Sequence, residues 1–574
     1  MTVDRVAVSR VLDQIASHLE LKGDSPFKIR AFRMAARNVT GLAGEPAQWL
    51  TEGTLDQVHG IGPAIQGVIR DLVSSGRSTT LDELREEVPP GLVEMLRISG
   101  LGVTKVRQIH ERLHLESIPE LEAAARDGRL ASLPGFGKKT AENVLRGIAR
   151  LRQATSYRLI HHAAEEAALL RTSLERLPGV TSAIVAGEVR RGLELVREIV
   201  IVLVADAPPE EILKAIATAP GVEEFGGHDE RRATIRFAGG ESCQVVVTPS
   251  PNVGAVLIQA TGSEQHLEQL VARAASRGFT LSGAALWRGS DFVATPDEAA
   301  VYSALGMALV PPELREGLGE VAAAATGLPP LVTRADLRGL VHCHTSYSDG
   351  SFSIPDLARA CGEAGYSYVG VTDHSGTAAY VSGLSEKEIR LQWAEIDEAN
   401  ASGQGARVLK GIEADITADG RLGYPDALLA GFDFVIASVH HRFEMNKEEM
   451  TARIVKAMEH PAVTILGHLT GRLLLSREPY QLDLDRIFAA AAERGIAIEI
   501  NADPQRLDLD WRMVRTARAA GVLISIGADA HSPAGLDNVN YGVLMARKAW
   551  LRPDEVLNAR TVDQFLAFAR RRRS

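Results

Sequence analysis

Cysteine is scarce: the 574 residues hold three, Cys243, Cys343 and Cys361. They offer no disulfide framework, zinc knuckle or CxxC pair, so a reducing cytoplasm is expected. Also missing are an apolar run of 18 or more residues and a charged-then-apolar leader, so neither a membrane span nor a signal peptide is expected. Positive charge is not in excess. With 63 Lys and Arg against 73 Asp and Glu the net charge is −10, which argues against coating nucleic acid through bulk attraction. Residues 1–150 hold 20 basic against 19 acidic side chains, leaving −11 for the remainder. Any nucleic-acid binding by the first part must therefore come from local donors placed on phosphates, and the acidic remainder suits metal ions better.

What is present exceeds one hydrophobic core, so three or four domains are expected. Residues 1 to about 155 read as helices, with apolar residues every three or four positions in "VSRVLDQIASHLEL" and "PFKIRAFRMAARNVTGLA". Near residue 180 the β-branched runs "AIVAGEV", "EIVIVLV", "ATIRFAG" and "CQVVVTP" predict an antiparallel or mixed sheet. Helices return at "SEQHLEQLVARAASRG", and a Pro-, Ala- and Gly-rich stretch leads to residue 335. Beyond it, apolar strands alternate with amphipathic helices, as in an α/β barrel or wound sheet. The basic end "ARRRRS" reads as a solvated helix terminus.

One weak repeat stands out, an apolar-Gly-apolar-Gly turn opening a helix. It occurs as "VHGIGPAI" (Gly60, Gly62), "ISGLGVTK" (Gly100, Gly102) and "LPGFGKKT" (Gly135, Gly137). Backbone N–H groups at such a turn and helix start converge on one point and bind a phosphate oxygen without a basic surface. Lys105, Lys138 and Lys139 add charge beside the second and third turns. The segments resemble helix-hairpin-helix motifs, and their order and spacing resemble the lyase-type and fingers domains of X-family DNA polymerases. "SPFKIRAFRMAARNV" is similar to that family's N-terminal helix signature.

The resemblance extends to a palm and thumb through "GEVRRGLELVREIVIVL" and "VVVTPSPNVGAVLIQATGSEQHLEQL". In that family three aspartates there hold two Mg²⁺ ions. The matching positions here are Glu198, Val200 and Gln244, and Glu188 stands at the phosphate-contacting serine. Valine cannot ligate a metal, Glu188 sets an anion where triphosphate charge belongs, and no D-x-D occurs in residues 180–250.

The strongest signal lies in the last domain, where seven apolar runs end in metal-ligand residue types or close analogues. "LRGLVHCH" delivers His342 and His344, "YSYVGVTDH" His374, "RVLKGIE" Glu413 and "DFVIASVH" His440. "AVTILGH" ends at His468, "IAIEIN" at Asn501, and "VLISIGADAH" gives Asp529 and His531. Strand ends of an α/β barrel converge on one mouth. Period-two alternation places His342 and His344 on one face and Cys343 on the other. Imidazoles with carboxylates suit Zn²⁺, Mn²⁺ or Fe²⁺.

These motifs resemble the polymerase and histidinol phosphatase (PHP) domain, with "HCHTSYSDG" adding Asp349. The resemblance implies two or three divalent metals on His342, His344, Asp349, His374, Glu413, His440, His468, Asp529 and His531, in a distorted seven-stranded barrel. It also implies phosphoester hydrolysis, with Glu413 bridging ions and His440 and Arg472 near the scissile phosphate. Taken together, the chain is expected to resemble bacterial X-family DNA polymerases with a C-terminal PHP domain. The expected divisions are a lyase-type helical domain (1–85), fingers (86–155), a degenerate palm (156–250), thumb (251–320), linker (321–335) and PHP domain (336–574). The expected activity is a metal-dependent 3′–5′ exonuclease in DNA repair, acting as a cytoplasmic, nucleoid-associated monomer on gapped, 3′-recessed or abasic DNA. Two readings compete: a weak Mn²⁺-dependent gap-filling polymerase using Glu198 with Glu194, and a non-catalytic DNA gap-binding scaffold.

Overall fold

The computed structural model describes residues 5–572 apart from 41, 43–45, 52, 54, 56, 57, 59, 60, 99, 220, 238, 239, 283, 284 and 377–382. Two compact units emerge, residues 1–156 and 157–574.

The first unit is helical and has two cores. In one, Val8, Leu12, Ile15 and Leu19 of α1 (Arg5–Lys22) meet Phe32 and Val39. Phe32 lies on α2 (Pro26–Thr40), and Ile65 and Ile69 of α3 (Pro63–Ser75) complete the cluster. The intervals of three and four residues put each set on one helical face. The second core joins Val106 and Ile109 of α4 (Val103–Leu113) to Val144 and Ile148 of α5 (Lys138–Ser156).

The second unit opens with a mixed five-stranded sheet: β1 Val180–Ala186, β2 Ile199–Ala205, β3 Val222–Gly227, β4 Arg232–Phe237 and β5 Ser242–Thr248. Its order is β1-β2-β5-β4-β3, with β2 and β5 parallel and the remaining pairs antiparallel. Every residue of β2 is buried, as its unbroken apolar run requires. A short helix, α6 (Gly187–Arg191), leads out of β1.

The C-terminal part is a parallel barrel. Its strands are β6 Gly339–Cys343, β7 Tyr368–Val371, β8 Arg407–Lys410, β9 Glu413–Asp415, β10 Val435–Ser438, β11 Val463–Leu466, β12 Ala497–Asn501 and β13 Ile524–Ala530. The hydrogen-bonded order runs β8-β7-β6-β13-β12-β11-β10-β9. Because β8 and β9 are two halves of one chain segment broken at Gly411 and Ile412, the sheet closes into seven strands. Glycine at the break has a packing cause: a Cβ at Gly411 would lie 2.5 Å from the ring of buried Phe434.

The last helix, α7 (Val562–Arg570), closes the barrel end formed by strand beginnings. Its Phe565, Leu566 and Phe568 pack on Val341, Tyr368, Leu409, Phe434 and Ile465. Arg570 and Arg571 are exposed at the helix end, and the terminal arginines also make specific contacts. Arg570 pairs with Asp433 at 3.1 Å, Arg571 covers Phe568, and Arg572 donates to the carbonyls of Val463 and Met458. Bare carbonyls at the barrel's underside attract donors that the sequence alone does not reveal.

A candidate metal centre at the barrel mouth

The nine residues singled out above lie at or just beyond strand ends and come together. Four groups have ligand atoms all within 4.8 Å of one another: His344, Asp349, His374 and His531; His342, Glu413 and His468; His342, His344 and Asp529; His374, Glu413 and His440. Together these contain the nine and no other residue among those described. Glu413 belongs to two groups, its Oε1 lying 2.8 Å from His468 Nε2 and its Oε2 2.9 Å from His374 Nδ1. His344 stacks on His531 with ring centroids 4.1 Å apart.

The backbone is bent to achieve this. β6 changes register between Leu340 and Cys343, and His342 adopts φ +62° there. Asp529 adopts φ +49°. Side-chain residues in the left-handed region cost energy and concentrate at functional sites. The bulge leaves both imidazoles in the centre and Cys343 in the core, as alternation predicts, by a route that alternation does not describe.

The donor set fits divalent ions. His342 Nε2 and both ring nitrogens of His344 are buried and make no hydrogen bond, an arrangement that costs free energy unless a cation completes it. Burial pushes the pKa of His344 down to about 3. Against their own burial, Glu413 raises His374 to about 10 and Asp349 raises His531 to about 9, so ion binding there displaces protons. Burial alone would raise Glu413, but His440, His342 and His374 hold it well below its ordinary value. Asp529 is likewise held low, its burial outweighed by His342 and His344.

A second layer of acids orients the imidazoles. Glu499 Oε1 lies 2.6 Å from His342 Nδ1, and its Oε2 accepts the His468 backbone N–H at 2.7 Å. Asp415 Oδ1 lies 2.6 Å from His440 Nδ1. Such carboxylate–histidine pairs fix the tautomer and leave the other nitrogen free to ligate. Asn501 is a partner of the cluster, donating to Asp529 Oδ2 at 2.9 Å. Asp373 accepts from Thr345, Ser348 and Gln392, bracing the loop that carries Asp349. Sequence reasoning missed Asp415, Glu499 and Asp373, although the first two sit two residues from Glu413 and Asn501 on the same alternating face.

Arg472, expected beside the phosphate, is engaged by groups of the protein itself. Its guanidinium donates to the carbonyls of Arg506 and Leu507 and to Asp510 Oδ2. The cation beside the ligands is instead Arg506, whose Nε lies 3.5 Å from Asp529 Oδ2 and whose side chain is 19% exposed. No motif flagged it.

Comparison with known proteins gives four matching family models: a helix-hairpin-helix domain at residues 4–78, a SAM-like helix-hairpin-helix tandem at 92–150, a DNA polymerase beta thumb at 256–316 and a PHP domain at 341–503. The DNA polymerase/3′-5′ exonuclease PolX of Bacillus subtilis (strain 168) is 32% identical over 568 residues, 98% of this chain and 99% of that one. The chain belongs to the PolX family. A protein named a probable phosphatase in Thermoanaerobacter sp. (strain X514) is 29% identical over 231 residues, 38% of this chain and 88% of that one. The barrel's last strand, which carries Asp529, lies beyond the matched PHP span.

In this PolX-type chain the palm cleft has changed character. It is a cavity of about 1250 Å³ whose lining includes Glu188, Arg197, Glu198, Val200, Arg231 and Gln244. Val200, 8% exposed, joins Val246 of the sheet and Val256 and Ala260 of the helix Val253–Thr261 in one apolar cluster. Glu188 Oε2 accepts the Arg197 backbone N–H at 2.5 Å, closing its own loop. Among the described residues, no three acids, imidazoles or thiols of the palm approach closely enough to share an ion. Glu194, the makeshift second ligand of the polymerase reading, is buried between Arg472 and Arg512.

The glycine turns take the expected form where described; Gly60 lies outside the described residues. Gly62 and Gly102 cap α3 and α4, and Gly137 precedes α5. Gly100 and Gly135 adopt φ +88° and +82°, which side-chain residues adopt only with strain. A Cβ added at Gly62, Gly102 or Gly137 would meet nothing within 4 Å, so the space before each helix start is open. Lys138 and Lys139 are exposed, whereas Lys105 donates to the Gly100 carbonyl at 2.9 Å.

Proposed function

We propose that this chain works in DNA repair as a metal-dependent 3′–5′ exonuclease through its PHP centre, with abasic-site cleavage as a related capacity of the same site. The observation that carries the reading is the convergence of nine imidazole and carboxylate side chains, from all parts of the barrel, into overlapping groups that can each hold an ion. Two or three ions of Mn²⁺, Zn²⁺ or Fe²⁺ suit this donor set. Divalent ions held there supply Lewis acidity for phosphoester hydrolysis.

The chain's own residues do the rest. Glu499 and Asp415 hold His342 and His440 in their ligating orientation. Arg506 offers a cation for a non-bridging phosphate oxygen, drawing the strand toward the centre. Helix-hairpin-helix turns grip the DNA backbone by N–H groups and by Lys138 and Lys139, supporting a gapped, 3′-recessed or abasic duplex as substrate. We place the protein in the cytoplasm, with the nucleoid, as a monomer; no helix among the described residues is long and apolar enough to cross a membrane. Template-directed synthesis finds no support in the palm, where valine packing occupies a metal position.

Metal titration of nuclease activity on a 3′-recessed duplex tests the proposal. Wild type responds to Mn²⁺, and His344→Ala loses at least about 10²-fold in rate, as expected when a metal ligand is removed. Equal rates in the two proteins would overturn the assignment. Gap binding with no hydrolysis in any metal would favour the scaffold instead.

A further inference from the structure

Glu194 lies in the turn between α6 and β2, only 6% exposed. It does not line the palm cleft, as Glu188 and Glu198 do. Its Oε1 is 3.2 Å from Arg512 Nη1 and 3.7 Å from Arg472 Nη2, so a palm carboxylate inserts between two arginines of the barrel domain. Arg472 continues the chain of contacts. Its Nε donates to the Arg506 carbonyl at 2.9 Å, its Nη2 donates to the Leu507 carbonyl, and its Nη1 donates to Asp510 Oδ2 at 2.8 Å. On the far side of that turn the Arg506 side chain meets Asp529.

We propose that Glu194 is a positioning residue of the nuclease: the palm carboxylate fixes Arg472, and Arg472 fixes the turn that presents Arg506 to the DNA phosphate. The inference rests on the nuclease reading for its functional half only. A guanidinium is a rigid planar fork, so its direction is set by what lies along its edges. Arg472, 11% exposed, has Glu194 and Asp510 as its two acids. Loss of Glu194 leaves one acid, toward which the fork rotates, loosening its hold on the two carbonyls. The turn at 503–510 then samples more conformations, and Arg506 spends less time aimed at the mouth. Arg512, stacked over Trp511 and paired with Asp510, anchors the same junction. Lys548, buried and bonded to the Arg191 carbonyl and Glu316, keeps palm, thumb and barrel from separating there. The palm thereby serves the nuclease as a strut.

The test uses the full-length protein. Glu194→Ala is expected to raise KM for a 3′-recessed duplex about fivefold with kcat held within about twofold, the signature of lost uniform binding. Bound metal, measured by mass spectrometry, stays unchanged, and Glu194→Asp restores most of the affinity. Arg506→Ala raises KM as well, and adding Glu194→Ala to it brings no further loss, because both changes act through one group. An unchanged KM in Glu194→Ala, or effects that multiply in the double variant, overturns the proposal. Amide hydrogen exchange across 503–510 supplies a readout independent of catalysis: faster exchange in Glu194→Ala supports the strut, and unchanged exchange sinks it. Should the wild type cut no DNA, the nuclease reading falls while the exchange measurement still decides the mechanical one.

Discussion

Glu499 restrains two imidazole-bearing positions at once, one through a ring nitrogen and one through a backbone amide. Glu499→Gln is therefore expected to lower metal affinity about 10–100-fold while leaving every ligand in place, measured by calorimetric metal titration. Gly527→Ala should mimic it, since a Cβ there would fall 1.9 Å from Glu499 Oε1 and must displace the carboxylate. Away from the centre, Glu298 pairs with Arg315 at 2.5 Å and Arg190 at 2.6 Å. Burial alone would raise its pKa; the hydrogen bonds from Arg315 and Arg190 outweigh it and hold it below 4.5. A carboxyl depressed by folding stabilises the protein above its unfolded pKa, and the contribution is lost as pH falls through the folded value. Denaturant unfolding should thus show thumb stability declining below pH 4.5, and Glu298→Gln should cost about 3–5 kcal/mol at neutral pH and flatten the decline.

At the scale of elements, the glycine turns carry a measurable electrostatic signature. Substituting Lys138 and Lys139 by Ala should reduce the slope of log K against log salt by about 2 for duplex DNA, leaving sequence preference unchanged; fluorescence anisotropy over a salt series reads it directly. The barrel's closing helix makes a different prediction. Phe565→Ala, removing a ring from the packed barrel end, should cost about 3–5 kcal/mol by denaturant unfolding. Elements also show what the sequence can convey. Strand ends bearing histidine were legible because period-two alternation and barrel geometry both point to one mouth. The bulge at His342 was not, because a register shift depends on the neighbouring strand. Arg472 follows His468 by four residues, yet its direction is set by the carbonyls of a turn more than thirty residues later. Arg506 and the terminal arginines left no local signal, since their partners are distant carbonyls and acids.

For the whole molecule, the residues that could hold metal all lie in one unit. Chelation should therefore lower the melting temperature of residues 157–574 and leave the helical unit unmoved, giving one metal-sensitive and one insensitive transition by calorimetry. Primer extension and resection followed in a single Mn²⁺ reaction should show shortening of the primer without elongation. Restoring an aspartate at Val200 is expected to disturb the apolar cluster before it recruits an ion, because Gly187 lies close against the Val200 side chain and Val246 and Ala260 belong to the same cluster.

The order in which the barrel is threaded has its own consequence. β6, which brings the first two histidines, finds one of its neighbours in β13, nearly 190 residues later, and the helix that seals the floor follows later still. A chain interrupted before β13 leaves the barrel open and lacks Asp529 and His531 of the ligand groups. Such a product is expected to keep the fold of the helical unit while losing metal binding.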